Sequence, residues 1–423
     1  MEQTIFALSS GAPPAGIAII RVSGSRAGLA LGHLAGDRPP PRQAAIRTLR
    51  SSSGDILDRA LVLWLPGPGT VTGEDMAEFH CHGGRAVIEA VLSELGTLEQ
   101  LREAEAGEFT RRAFANGRMD LAEVEGLGDL LAAETEWQRR GAIAAAGGEL
   151  SRRIEQWRGE VLSLSAQIEA AIDFGDEDDV DSLPDEFGDK ISELAKAMEA
   201  VIERPSTERL KAGIRVVFAG PPNAGKSSLF NALLQEGAAI VSPEAGTTRD
   251  VIERPVALGG APFILVDTAG IREEGASTIE AIGIDRAKQQ MEAADIVLWL
   301  GPAEELPAGA HLVQSKSDIV QPSIDRGHIV SSVTGAGLNE LVDWLIATAA
   351  SLLPPPNRLA LNRRQRKLVS ECAGHLRHAG GEIDVLIAAE ELRLARAALD
   401  AISGRAGTED MLDALFGKFC IGK

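Results

Sequence analysis

The run Gly220-Pro221-Pro222-Asn223-Ala224-Gly225-Lys226-Ser227 constrains this chain more than any other stretch. It has the form G-x4-G-K-[ST], which works only where a buried strand ends and a helix begins. There, successive backbone N–H groups point into one concavity, and phosphate oxygens replace the missing intrahelical acceptors. Both flanks meet that demand. Ile214 to Ala219 is a mostly apolar run that reads as a buried strand, and Ser227 to Leu234 reads as the start of a helix. Lys226 is placed to reach the outer phosphates of a nucleotide, and the Ser227 hydroxyl to ligate Mg2+. Asn223, Ala224, Gly225 and Ser228 complete the loop and the first turn.

The second half of such a site is an acidic residue at the end of another strand. Pro262 to Val266 reads as that strand and runs into Asp267-Thr268-Ala269-Gly270. Asp267 would hold the metal's water shell, and the Gly270 N–H would sense a terminal phosphate. Between the two lies Gly246-Thr247-Thr248-Arg249-Asp250, where Thr248 is the residue expected to complete Mg2+ coordination as part of a switch. Leu312 and Val313 close a strand ahead of Gln314-Ser315-Lys316-Ser317-Asp318. The Asp318 carboxylate matches the N1 and exocyclic amino donors of guanine, a pair that adenine does not offer. GTPases usually carry Asn-Lys-x-Asp here; Ser315 replaces the asparagine, so the loop loses a tying amide, and weakened nucleotide affinity with guanine specificity kept is expected. Ile329 to Ser332 supplies a late strand end that sets Ser331 and Ser332 against the base, before a helix from Leu338 to Ala350. Strands alternating with helices from about Lys211 to Leu352 imply an α/β domain with a mostly parallel sheet. Ala269, Gly270 and Ile271 follow the acidic strand end, so no glutamine or histidine there can orient water, and no arginine is evidently delivered to the phosphates.

At 423 residues the chain is long enough for two or three domains, and its formal net charge of −20 argues against nonspecific nucleic-acid binding through the bulk surface. Three cysteines give no disulfide framework, and neither a signal-type leader nor a membrane-spanning run is visible, so a cytoplasmic location with no membrane partner is expected. From Met1 to Arg118 short apolar runs are broken by Gly and Pro; Ile17 to Val22, Leu61 to Leu65 and Met76 to Phe79 read as strands of an α+β domain. His80 and His82 alternate with Cys81 across one of these strands, which argues against a zinc site. Leu121 to Leu210 is rich in helix formers, the acidic run Asp176 to Asp179 reads as a solvated connection, Pro354-Pro355-Pro356 is a break, and Asn362 to Ala398 is helical again. The expectation is a multidomain α/β protein: an N-terminal α+β domain over 1–118, a helical domain in two parts, 119–210 and 353–423, and a P-loop domain over 211–352 inserted between them.

Motifs along essentially the whole chain resemble those of the tRNA uridine-34 5-carboxymethylaminomethyl modification GTPases, the MnmE/TrmE family. They are Thr4-Ile5-Phe6-Ala7, Arg21-Val22-Ser23-Gly24, Thr72-Gly73-Glu74-Asp75, His82-Gly83-Gly84, Gly107 to Phe114, Asn116 to Leu121, Ala171-Ile172-Asp173-Phe174 and the terminal Phe419-Cys420-Ile421-Gly422-Lys423. The resemblance implies a homodimer whose N-terminal domain binds a tetrahydrofolate one-carbon donor, in the 5,10-methylene or 5-formyl form, through positions matching Arg21, Glu78, Arg118 and Lys423. Arg118 stands where lysine is common, which keeps the charge and changes the geometry. It also implies K+ in place of an arginine finger, held by Asn223 with switch-loop oxygens near Ser242, Glu244 and Thr247. Glu280 matches the glutamate that positions water, with Glu274 as its competitor, so Glu280, Lys226 and Asn223 form the expected catalytic set. Cys420 belongs to the motif linked to tRNA modification rather than to hydrolysis. With an FAD-dependent partner in a hetero-oligomer, such a protein installs an aminomethyl-type group on C5 of the wobble uridine of certain tRNAs. A ribosome-assembly GTPase without modification chemistry is the alternative, and Ser315 raises a third, a slow-turnover scaffold. The segment from Leu300 to His311 is shorter than usual for the family and is expected to lack a helix.

Overall fold

The computed structural model describes residues 3–173, 186–239, 252–267, 288–321, 326–355, 359–381, 384–405 and 409–422. They divide into two compact units, one from 1–128 with 400–423 and one from 129–399.

In the first unit, strands β1 (Thr4–Leu8), β2 (Ala15–Ser23), β3 (Ala45–Arg50), β4 (Ile56–Leu65), β5 (Met76–Gly83) and β6 (Leu101–Glu103) form one sheet in the order β3-β4-β5-β2-β1-β6. Only the β1–β6 pairing is parallel. Helices α1 (Ala27–Ala35) and α2 (Arg85–Gly96) supply the apolar partners for one face, where Phe6, Ile20, Val22, Leu31, Val62, Phe79, Val91 and Leu95 are buried together. Each such side chain contributes about 1.5–3 kcal/mol on leaving water. Alternation sends the intervening residues to the other face. There Ile19, His80, Leu61 and Ile46 stand in one row across four strands, and Ile46 is 61% and Leu61 37% exposed. Helix α3 (Glu108–Ala115) packs Phe109 against Ile5, Ala7 and Ala104. The three strands anticipated in this region are present but longer, with β4 and β5 twice the expected length at 10 and 8 residues and β2 extended to 9; β1, β3 and β6 were not foreseen.

Helix α4 (Leu121–Leu131) carries the chain into the second unit, where α5 (Glu136–Ala146), α6 (Glu149–Asp173), α7 (Phe187–Ile202) and α8 (Thr207–Ala212) follow. On α6 the buried residues Ile154, Trp157, Val161, Leu164 and Ile168 recur at alternating three- and four-residue steps, which makes one apolar stripe. The α/β part holds β7 (Ile214–Ala219), α9 (Lys226–Glu236), β8 (Ala238–Ala239), β9 (Ile252–Leu258), β10 (Ala261–Asp267), β11 (Ile296–Trp299), β12 (His311–Gln314), β13 (His328–Ile329) and α10 (Leu338–Leu352). Its seven strands lie in the order β13-β12-β11-β7-β10-β9-β8, parallel from β13 to β10 and antiparallel beyond. The sheet is mostly parallel, as expected. Between β11 and β12 there is one 3-10 turn, Ala303–Glu305, and no α-helix, which agrees with the short segment noted in the sequence. Helices α11 (Arg363–Gly381) and α12 (Val385–Ser403) follow, and α13 (Glu409–Phe416) lies in the first unit.

Candidate functional site

Strand β7 ends at Ala219 and α9 begins at Lys226, so the phosphate-loop sequence spans a strand-to-helix turn at the carboxyl ends of the parallel strands. Gly225 takes φ +94, and a Cβ there would lie 2.9 Å from Ser315 Oγ, so only glycine fits. Lys226 is 8% exposed, and its Nζ donates to the carbonyls of Gly220 and Pro221 at 2.9 and 2.8 Å. The ammonium is therefore drawn over the loop, and Ser227 sits in the same first turn. Asp267, 3% exposed, ends β10 opposite Phe218 of β7 and puts a buried carboxylate beside the loop's base. A hydroxyl and a carboxylate are hard oxygen donors of the kind Mg2+ takes.

The segment expected to read the base is tied to the phosphate loop. Lys316 Nζ donates to the Asn223 carbonyl at 2.6 Å, and Ser315 Oγ donates to the Ala224 carbonyl. Asn223 and Lys316 both adopt left-handed backbone, at φ 59 and 61. Asparagine tolerates that region; lysine there is strained and is held by its bond. Ser315 therefore corrects one expectation: the loop does not lose its tie, because the short hydroxyl reaches the neighbouring carbonyl directly across Gly225. Ser331 is fully buried and donates to Asp318 Oδ1 at 2.7 Å, while accepting from the N–H groups of Val333 and Thr334 at 3.3 and 3.2 Å. Ser332 follows it in the same turn. Of the anticipated nucleotide-site residues, Ser242, Glu244, Thr247, Thr248, Thr268, Ala269, Gly270 and Glu280 lie outside the described residues, as does Lys423 of the folate set.

In the first unit, strand pairing sets Arg21 of β2 opposite Glu78 of β5. Arg21 Nε donates to Glu78 Oε1 at 3.0 Å, and its guanidinium lies 5.9 Å from the Phe109 ring centroid. Sequence reasoning missed His80, whose Nε2 meets Glu78 Oε2 at 3.2 Å; the alternation that puts it on the Glu78 face was the available signal. Arg118 Nε donates to the Thr70 carbonyl at 3.2 Å. The described residues at the end of the chain are pinned. Ile421 bridges Ala106, the Gly107 N–H donates to the Cys420 carbonyl, and Ser9 Oγ donates to the Gly422 carbonyl at 2.9 Å. Gly422, at φ +94, passes so close to β1 that a Cβ would lie 2.1 Å from the Leu8 oxygen. Leu8 pairs with Ile20, next to Arg21, so the terminus is threaded beside the strand pair that carries Arg21 and Glu78. Cys420 is exposed, whereas Cys81 is buried and its thiol is pushed up to about 12 by burial and then by the Asp58 charge.

A glycine-rich strand-to-helix loop, a buried aspartate on the next parallel strand and a serine-braced aspartate at the base position together define a P-loop GTP-binding protein. Residues 121–420 match the MnmE helical domain, and residues 4–118 match the N-terminus of the GTP-binding protein TrmE. The tRNA modification GTPase MnmE of Erythrobacter litoralis (strain HTCC2594) is 59% identical over 423 residues, with 100% of each chain covered. The proteins of the same description from Novosphingobium aromaticivorans and Rhizorhabdus wittichii are 55% and 56% identical, covering 100% of this chain and 100% and 97% of theirs. The chain belongs to the MnmE family of tRNA modification GTPases. Among the described residues, no helix is long and apolar enough to cross a membrane.

Proposed function

We propose that this protein is a K+-activated, Mg2+-dependent GTPase that works in the cytoplasm as a homodimer. With an FAD-dependent partner it adds a 5-(carboxymethyl)aminomethyl-type group to uridine 34 of certain tRNAs, drawing the carbon from a tetrahydrofolate derivative. Its domains are a folate-binding domain over 1–118, helical parts over 119–210 and 353–423, and a G domain over 211–352. Asp318, fixed by Ser331, accepts the two guanine donors, and Lys226 neutralises charge on the outer phosphates. Ser227 and Thr248 would hold Mg2+, which supplies a counter-charge on the phosphate oxygens, and Asp267 would orient its water shell. Asn223, with oxygens near Ser242, Glu244 and Thr247, would hold K+; the carboxylate of Glu280 orients the water.

The observation that supports the modification reading is the threading of the Cys420–Gly422 segment beside the Arg21–Glu78 pair. In that reading Arg21, Arg118 and Lys423 meet the folate's glutamate carboxylates, Glu78 accepts from pterin N–H groups, and Cys420 takes part in modification. The exposed Ile46, Leu61 and, at 62%, Ile17 on one face of the first unit's sheet support dimerisation through this unit. Cys420→Ser, tested with the flavoprotein partner and substrate tRNA, is expected to keep GTP hydrolysis and to lose wobble-uridine modification by mass spectrometry of nucleosides. Full modification by that variant contradicts the role given to the terminus.

A further inference from the structure

The two strands that carry the base-reading residues share a short ladder, at whose loop end the Val330 N–H donates to the Gln314 carbonyl at 2.8 Å and the Ser317 N–H to the Val330 carbonyl at 3.1 Å. β13 has two residues, and its ladder with β12 consists of Val313↔His328 and Gln314↔Ile329. Four residues after His311 the chain reaches Ser315, and three after His328 it reaches Ser331, the brace of Asp318. At the far end of these strands the two imidazoles meet: His311 Nε2 and His328 Nδ1 are 2.7 Å apart, one donating and one accepting. The His311 ring also stacks on Trp344 of α10, with centroids 3.6 Å apart and planes inclined by 22°.

We infer that His311 and His328, stacked on Trp344, are positioning residues that clamp β12 to β13 and so hold the guanine-reading loops at Ser315–Asp318 and Ser331 together. The inference rests on the reading of Asp318 as the guanine acceptor. A neutral pair shares one N–H between two nitrogens, while two imidazolium rings have no acceptor to offer each other, so acid opens the clamp. Other charged residues on the surrounding elements are Glu340 and Asp343 on α10, Arg326 ahead of β13, and Glu304 and Glu305 in the turn after β11; β11 itself has none. Burial first, and then the charge of His328, pull the His311 imidazole down from 6.5 to about 4. Because the clamped state takes a proton less readily than the open one, the clamp is at full strength above 6.5 and weakens as pH falls toward about 4. Linkage over that window raises the open population about tenfold near pH 5.5.

The test is the release rate of a fluorescent GDP analogue from the full chain, chased with unlabelled GDP near pH 7.5 and near pH 5.5. Protonation of the GDP phosphates affects all proteins alike, so the comparison with His311→Phe and His311→Gln isolates the clamp. The first variant keeps the ring stack, and the second keeps a hydrogen-bonding group. Acidification is expected to speed release from the unmodified protein by about tenfold more than from either variant. Equal acceleration in all three overturns the clamp while leaving the nucleotide site standing. Failure of the unmodified protein to bind the analogue near pH 7.5 overturns the nucleotide-site reading, and the clamp with it.

Discussion

In the proposed function Asp318 reads guanine, which requires its carboxylate to be held in one orientation, and the fully buried Ser331 donates to that carboxylate. A hydrogen bond to a charged group is worth about 1.5–3 kcal/mol, so Ser331→Ala is expected to weaken GDP binding by roughly tenfold to a hundredfold. Titration calorimetry reads this directly, and unchanged affinity contradicts the assignment. Gly225→Ala adds a Cβ 2.9 Å from Ser315 Oγ on a φ of +94. Backbone strain of this kind costs about 1–3 kcal/mol. Lower thermal stability together with lost GDP binding is therefore expected, and wild-type binding would show that the loop has another way to bend. Both effects arise because each loop residue serves two neighbours at once, with Ser315 packed on Gly225 and bonded to Ala224.

At the level of elements, the terminal segment depends on the passage of Gly422 against Leu8. Gly422→Ala is expected to peel that segment from β1, so that folate binding falls at least tenfold while GDP affinity stays within twofold (order-of-magnitude expectations for a lost positioning contact). Equilibrium titration with 5-formyltetrahydrofolate checks it; retained folate affinity contradicts the placement of the terminus in that site. On α6, Trp157 is 1% exposed, and Trp157→Ala is expected to cost about 3–5 kcal/mol in urea unfolding. The elements themselves were largely legible. The strand read at Ile214 to Ala219 is β7 residue for residue, because a phosphate loop fixes one end and an apolar run the other. β3 escaped because Arg47, Thr48 and Arg50 interrupt its apolar signal, as suits an edge strand, and β6 because three residues carry no period. The ties that finish the site were not legible. Ser331 reaches Asp318, Lys316 reaches Asn223 and His311 reaches His328 only after the strands are ordered in the sheet, and no local pattern encodes such encounters.

Across the whole molecule, chemistry is segregated by exposure. Cys81 and Cys372 are buried and their thiols are both pushed up to about 12, chiefly by burial, whereas Cys420 is exposed. The native protein is therefore expected to take up one equivalent of iodoacetamide near pH 8 and all three in denaturant, as read by intact mass. Label on Cys81 or Cys372 in the native state contradicts the packing of either core. The net charge of −20 makes the nucleotide phosphates unwelcome at long range, so local positive charge matters at the site: that of Lys226 and, in the proposed function, that of Mg2+ and K+. The role proposed for K+ is tested by GTP hydrolysis with the purified protein in matched KCl and NaCl, with ATP as control. Turnover of GTP alone, strongly faster in KCl, is the predicted result. Equal low turnover in both salts, or ATP hydrolysed as fast as GTP, would contradict the account.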